Sequence, residues 1–326
     1  MRSDIPRDAA ELLEQQQGVL ARWQAPLHGL DTTVIDRLLR YGRWQTLYRG
    51  VYGAFTGPPS RQSVLWAAVR RCGPSAALSH HSAAELDGLL DRPAALIHVT
   101  VGPGSELSIA SKARGDRLPP IVAHRLARVD AARHPTRVPP RTRIAETTLD
   151  LTQTAADLDA AVAWLSRACG RRLATSAQLQ SALAARSRIR WRAELASALG
   201  DIGAGVHSIL EFRYVRQVER PHRLPAAVRQ AMVTTERGSR YIDNLYADFG
   251  VAVELDGRAA HPPEARWQDL RRDNTLARSG LITLHYTWPD VTSRPCQTAR
   301  EIADVLRARG WPGRVSSNTC CRQPRP

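Results

Sequence analysis

The chain has 326 residues, 43% hydrophobic and 24% charged, which fits two or three globular domains with their own cores and excludes a fibrous or wholly disordered protein. Lys and Arg number 46 against 31 Asp and Glu, a net charge of +15, and every one of those cations except Lys112 is arginine. No apolar run approaches the ~18 residues of a membrane span, and Met1-Arg-Ser-Asp-Ile-Pro6 carries no apolar signal core, so a cytoplasmic protein without a membrane partner is expected. The charge excess predicts a polyanion partner, DNA foremost, beside the simpler reading of an arginine-rich surface. Five scattered cysteines without a Cys-x-x-Cys pair indicate neither a zinc site nor a disulfide framework.

Residues 1–57 read as three short helices and a hairpin. Pro6 to Gln16 forms the first helix, a weaker second covers Leu20 to His28, and Asp31 caps a third over Thr32 to Tyr41. Val34, Ile35, Leu38 and Leu39 make the apolar stripe of that third helix, while Arg37 and Arg40 lie on its other face and Arg43 just beyond it. Trp44 to Tyr48 and Val51 to Phe55 flank Arg49-Gly50, a two-residue hairpin turn. This order predicts a winged helix-turn-helix whose basic third helix enters the major groove of DNA, with Arg37, Arg40, Arg43 and Arg49 as contacts. A small helical docking domain with a basic solvent face is the competing reading. Tyr41-Gly-Arg-Trp-Gln-Thr-Leu-Tyr-Arg-Gly-Val-Tyr52 resembles the N-terminal domain of AbiEi-type antitoxins, which implies a toxin as a further candidate partner.

Residues 58–200 read as a mostly helical connector. Helices are expected at Ser63 to Cys72, Ser79 to Leu90, Ile144 to Gln153, Leu158 to Cys169, Ser176 to Ala185 and Arg190 to Leu199, with strands at Ile97 to Val101 and Ile121 to His124. His80 and His81 are adjacent, so they face different ways on a helix, and His98, His124 and His134 are isolated. Without an i, i+4 pair this spacing favours capping, packing or phosphate contacts over metal binding.

Residues 205–312 concentrate the chemistry. Ser208-Ile-Leu-Glu211 opens a helix, Gln230 to Thr235 is a strand, and Arg240 to Asp256 a hairpin turning near Ala247 to Gly250. A long basic helix from Pro263 to Ser279 follows, then a strand at Leu281 to Tyr286 and a last helix at Pro295 to Arg309. Side chains alternate along a strand, so Glu254 and Asp256 share a face, with Asp243 opposite Val253 or Glu254 on the neighbouring strand. Adjacent carboxylates on a half-buried strand are costly to desolvate and repel one another, which predicts a cation among Asp243, Glu254 and Asp256. Residues 313–326 lack any apolar period and read as a disordered tail.

Val206-His-Ser-Ile-Leu-Glu211, Tyr241-Ile-Asp243, Val253-Glu-Leu-Asp-Gly-Arg-Ala-Ala-His261, Leu270-Arg-Arg-Asp273 and Thr287-Trp-Pro-Asp-Val291 occur in an order that resembles the uncharacterised family related to the very-short-patch-repair endonuclease, within the PD-(D/E)XK nuclease superfamily. The resemblance implies an α/β multidomain chain ending in a restriction-endonuclease-like αβββαβ core that hydrolyses DNA with Mg²⁺ or Mn²⁺. It places metal-binding carboxylates at Asp243 and Glu254, puts Asp256 where the superfamily usually has lysine, and gives His261 a proton-transfer role. Glu211 is read either as an outer metal partner or as half of a Ser208 capping box. His261 likewise either acts in catalysis or caps the loop into Pro262. Arg271 and Arg272 would hold flanking phosphates, and Asn244, in place of an aromatic, is expected to loosen packing behind the site. The alternative reading is a non-catalytic, antitoxin-like DNA-binding regulator on a degenerate nuclease fold.

Overall fold

The computed structural model describes residues 5–104, 110–111, 118–204, 206, 208–235, 238–256 and 274–316. Among these residues the fold is mixed α/β with three small sheets, and the chain divides into two units. The first unit holds residues 1–155, 171–174 and 181–190; the second holds 156–170, 175–180 and 191–326.

In the first unit, α1 (Arg7–Gln15) leads into β1 (Val19–Ala21), and α2 (Thr32–Arg40) precedes β2 (Gln45–Tyr48) and β3 (Val51–Gly53). The Asp31 carboxylate caps α2 by accepting from Thr33 N at 2.8 Å. The expected second helix at 20–28 is replaced by β1 and a short 3₁₀ turn at Pro26–His28. Val19, Leu20 and Ala21 are all fully buried and pair antiparallel with β3, so pairing and burial override their helical propensity. Sheet order is β1-β3-β2, and Gly50 takes the left-handed φ of 73° that the β2–β3 turn requires.

The core does not break near residue 57. Val19, Leu47, Tyr48 and Val51 share one buried cluster with Leu65 and Trp66 of α3 (Arg61–Cys72) and with Ile97 and Val99. Those last two belong to a second sheet, which the expectation of a mostly helical connector understates. β4 (Ala77–Leu78), β5 (Ile97–Val101), β6 (Ala110–Ser111) and β7 (Ile121–Arg125) run in the order β4-β5-β7-β6, with β5 and β7 parallel. α4 (His80–Leu86) starts directly after β4. Short α5 (Val129–Ala132) and longer α6 (Ile144–Thr154) complete this region. On α6, buried Glu146 accepts from Arg128 and Arg186, and Arg186 also donates to Asp150 at 2.7 Å.

Helices α7 (Leu158–Gly170), α8 (Ser176–Ala184), α9 (Arg192–Gly203) and α10 (Ile209–Arg213) follow, and a π-helical turn at Tyr214–Glu219 extends α10. The second unit's sheet comprises β8 (Val228–Thr235), β9 (Gly238–Tyr246), β10 (Val251–Asp256) and β11 (Ile282–Thr287) in the order β11-β10-β9-β8. Neighbours from β8 to β10 are antiparallel, whereas β11 lies parallel to β10. Helices α11 (Trp288–Ser293) and α12 (Pro295–Ala308) close the chain. Alternation on the sheet decides the packing. Tyr246, Val251, Val253 and Tyr286 share one buried cluster with Leu210, Tyr214 and Val218 and with Ile302 and Leu306 of α12. Ile242, Ala252 and Leu276 form a separate small cluster. Val315 packs against the larger core and Ser316 N donates to His222 O at 3.2 Å, so the start of the expected loose tail is held.

Candidate functional site

The hairpin of β9 and β10 turns through a 3₁₀ segment at Ala247–Phe249, with Gly250 at φ 62°. Its backbone ladder runs from Val251↔Tyr246 to Val253↔Asn244 and stops there. Beyond that point carboxylates replace backbone pairing. Asp243 Oδ2 accepts from Leu255 N at 2.9 Å, and Glu254 Oε2 lies 3.5 Å from Asp243 N. Glu254 is 8% exposed. Burial first, and then the neighbouring Asp243 charge, push its pKa above the ordinary carboxylate range. Arg240 answers part of that repulsion by donating to Glu254 Oε1 at 2.7 Å.

Gln230 of β8 ties a third carboxylate to the pair. Its Nε2 donates to Asp243 Oδ1 at 2.9 Å and lies 3.4 Å from Glu211 Oε2. Gln230 holds this position with φ 44°, a left-handed conformation that a non-glycine side chain adopts at a cost. Glu211 is 4% exposed, and its backbone N donates to Ser208 Oγ at 3.1 Å. The Ser208 half of the capping box therefore forms, while the Glu211 side chain reaches toward Asp243 through Gln230.

Asp256 departs from the expected trio. It is two residues beyond Glu254 on the same face and turns to His285 Nδ1, 3.2 Å away on β11. Among the described residues, the one group of three or more His, Cys, Asp or Glu with ligating atoms within 4.8 Å of one another is His80, His98 and His124. Asp243, Glu254 and Asp256 do not close to that spacing. His285 is a site residue that pattern reading missed, although Ile282, Leu284 and Tyr286 alternate around it and leave it on the polar face with Glu254.

Behind the hairpin, Asn244, expected to loosen the packing, is fully buried and hydrogen-bonded. Its Oδ1 accepts from Arg229 across the strand pair, and Arg229 also pairs with Glu219. Tyr214 and Tyr246 hydroxyls meet at 2.7 Å beside this network. His261, Arg271 and Arg272 lie outside the described residues. In the first unit, Arg37, Arg40, Arg43 and Arg49 are all exposed, on α2, just after it and in the β2–β3 turn.

Three of the histidines pack against one another, as their spacing allowed, in a cluster that the spacing does not reveal. Parallel pairing sets His98 of β5 and His124 of β7 on one face, since Thr100 pairs with His124 and His98 with Val122. The start of α4 brings His80 over them. Its ring stacks on His124 with centroids 3.7 Å apart, and His98 Nδ1 lies 2.9 Å from His124 Nε2. Burial lowers all three pKa values, His80 to about 2 and His98 to about 4, so each ring is neutral at pH 7. No described helix is long and apolar enough to cross a membrane. Compared with known proteins, the chain matches no family model and no curated relative.

Proposed function

We propose that the second unit is a metal-dependent DNA endonuclease of the PD-(D/E)XK kind, and that residues 1–57 form a winged-helix region that targets it to DNA. The observation carrying this reading is the pairing of Asp243 with Glu254 where the hairpin ladder stops, joined to Glu211 through Gln230. Element order supports it: α10, three antiparallel strands and parallel β11 fit the αβββαβ plan, with most of the helix expected before β11 lying outside the described residues. For DNA targeting, the support is the exposed arginines of α2 and its hairpin together with a net charge of +15.

The donor set fits Mg²⁺ or Mn²⁺. All its groups are carboxylate oxygens, which such hard ions prefer, and burial together with the neighbouring Asp243 charge raises the pKa of Glu254, a cost that a cation would relieve. Asp243 and Glu254 would hold the ion, with Glu211 and Asp256 as outer partners. An ion there would supply Lewis-acid polarisation of the phosphate. Gln230 fixes the Asp243 carboxylate, and Arg240 is placed to move from Glu254 to a phosphate oxygen when DNA arrives. His285, on the exposed side beside Asp256, is within reach to pass a proton to or from solvent.

One observation favours the second reading, a DNA-binding regulator without turnover. Asp243 and Glu254 already have protein partners in Leu255 N, Gln230 and Arg240, and Asp256 occupies the usual lysine position. A supercoiled-plasmid nicking assay with Mn²⁺ separates the two. Nicking by the native chain that Glu254→Gln abolishes is expected, whereas DNA binding with no nicking by the native chain would establish the regulator.

A further inference from the structure

We propose that His80, His98 and His124 form a second, independent metal site in the first unit, selective for a divalent transition ion such as zinc. Three imidazoles drawn from α4, β5 and β7 bring ligating nitrogens within 4.8 Å of one another. Two tetrahedral ligands on zinc stand about 3.3 Å apart, from bonds of about 2.0–2.1 Å. The His98 Nδ1 to His124 Nε2 separation of 2.9 Å is therefore within a few tenths of an ångström of that spacing. Nitrogen ligands of this softness suit zinc, nickel or copper and not the hard ion proposed for the carboxylates.

The surroundings fix the backbone that carries these rings. His98 N donates to Ser82 Oγ at 2.9 Å and His98 O accepts from Ser79 N at 3.0 Å, locking β5 to the first turn of α4. His80 sits at the start of that helix with φ 48°, a strained conformation for a side chain of its size. Its Nδ1 faces Ser79 Oγ at 3.0 Å and the Asp150 carboxylate at 3.9 Å, which leaves Nε2 for an ion and sets a carboxylate behind the ligand. His80 and His124 are stacked with planes 20° apart, so their lone pairs run side by side, and uptake of the ion requires one ring to turn about its χ angles. Three protein ligands leave the fourth position open.

The test uses the full chain, purified without a histidine tag and stripped with a chelator. Titration with zinc against a chromophoric chelator is expected to show one tight site. His98→Gln with His124→Gln should weaken it at least 100-fold, and Asp243→Asn with Glu254→Gln should leave it unchanged. Equal zinc affinity in the histidine variant, or no tight zinc site in the native chain, would overturn the proposal. Should the double variant fail to fold, imidazole ¹⁵N spectra of the native chain decide the matter: zinc must shift the ring signals of all three histidines, and unchanged signals refute the site. Failure here leaves the nuclease reading untouched, since that reading rests on other residues and another ion.

Discussion

Asp243 has a structural task in the hairpin and, in the proposed nuclease, a second one, and substitution can separate the two. Its carboxylate accepts from Leu255 N and Gln230 Nε2, each at 2.9 Å, where the β9–β10 ladder has ended. Asp243→Ala strands both donors, and a stranded part-buried donor costs about 1–3 kcal/mol. Gln230 can turn toward Glu211, so most of the loss falls on Leu255 N, and a total near ~2 kcal/mol is expected. Asp243→Asn keeps an oxygen for Leu255 N and should cost less than about 1 kcal/mol. Urea denaturation of metal-free protein measures both, and plasmid nicking in Mn²⁺ runs beside it. The alanine variant should be destabilised and inactive, the asparagine variant stable and inactive. Native-like stability in Asp243→Ala would refute the claim that this carboxylate stands in for the ladder.

Other consequences follow from the same structure. Replacing Arg37, Arg40 and Arg43 with Gln should weaken DNA binding and lower the slope of log affinity against log salt by roughly 0.9 for each phosphate left without its arginine; an unchanged slope removes α2 from the DNA surface. Arg186→Ala leaves buried Glu146 and Asp150 short of a cation, which should cost about 3–5 kcal/mol in denaturant titration; a loss under about 1 kcal/mol contradicts the network's importance. Asp290 caps α11 by accepting from Thr287, whose N lies 2.9 Å away, and the Thr287 hydroxyl bond first of all holds its pKa below the ordinary value. A lowered folded pKa gives stability that is complete above the unfolded pKa and lost as pH falls through the folded one. Asp290→Ala should therefore cost about 1 kcal/mol at neutral pH, with the gap from native protein narrowing as pH falls through the lowered folded pKa; an equal gap at neutral and acidic pH would show that the cap owes nothing to charge.

Particular residues show how far the sequence could be read. The hairpin of residues 240–256 was legible because strand alternation, Gly250 and the acids at 243 and 254 all agree on one register. Val19–Ala21 was not, since three residues carry no period and only β3 makes them a strand. The partner of Asp256 lies on β11, 29 residues away, and strand order alone brings it near. His80, His98 and His124 come together through the parallel pairing of β5 and β7 and the start of α4. Local spacing rules look for helical pairs and carry no trace of that register.

The central claim is that Asp243 and Glu254 hold a metal ion for phosphodiester hydrolysis. Single-turnover cleavage of plasmid DNA, with Mn²⁺ titrated into native protein, Asp243→Asn and Glu254→Gln, tests it most directly. Saturable Mn²⁺-dependent cleavage that falls at least about 100-fold in both variants is predicted, because the ion is worth several kcal/mol to the reaction. Cleavage at the native rate in either variant, or none by the native chain at any Mn²⁺ concentration, would contradict it.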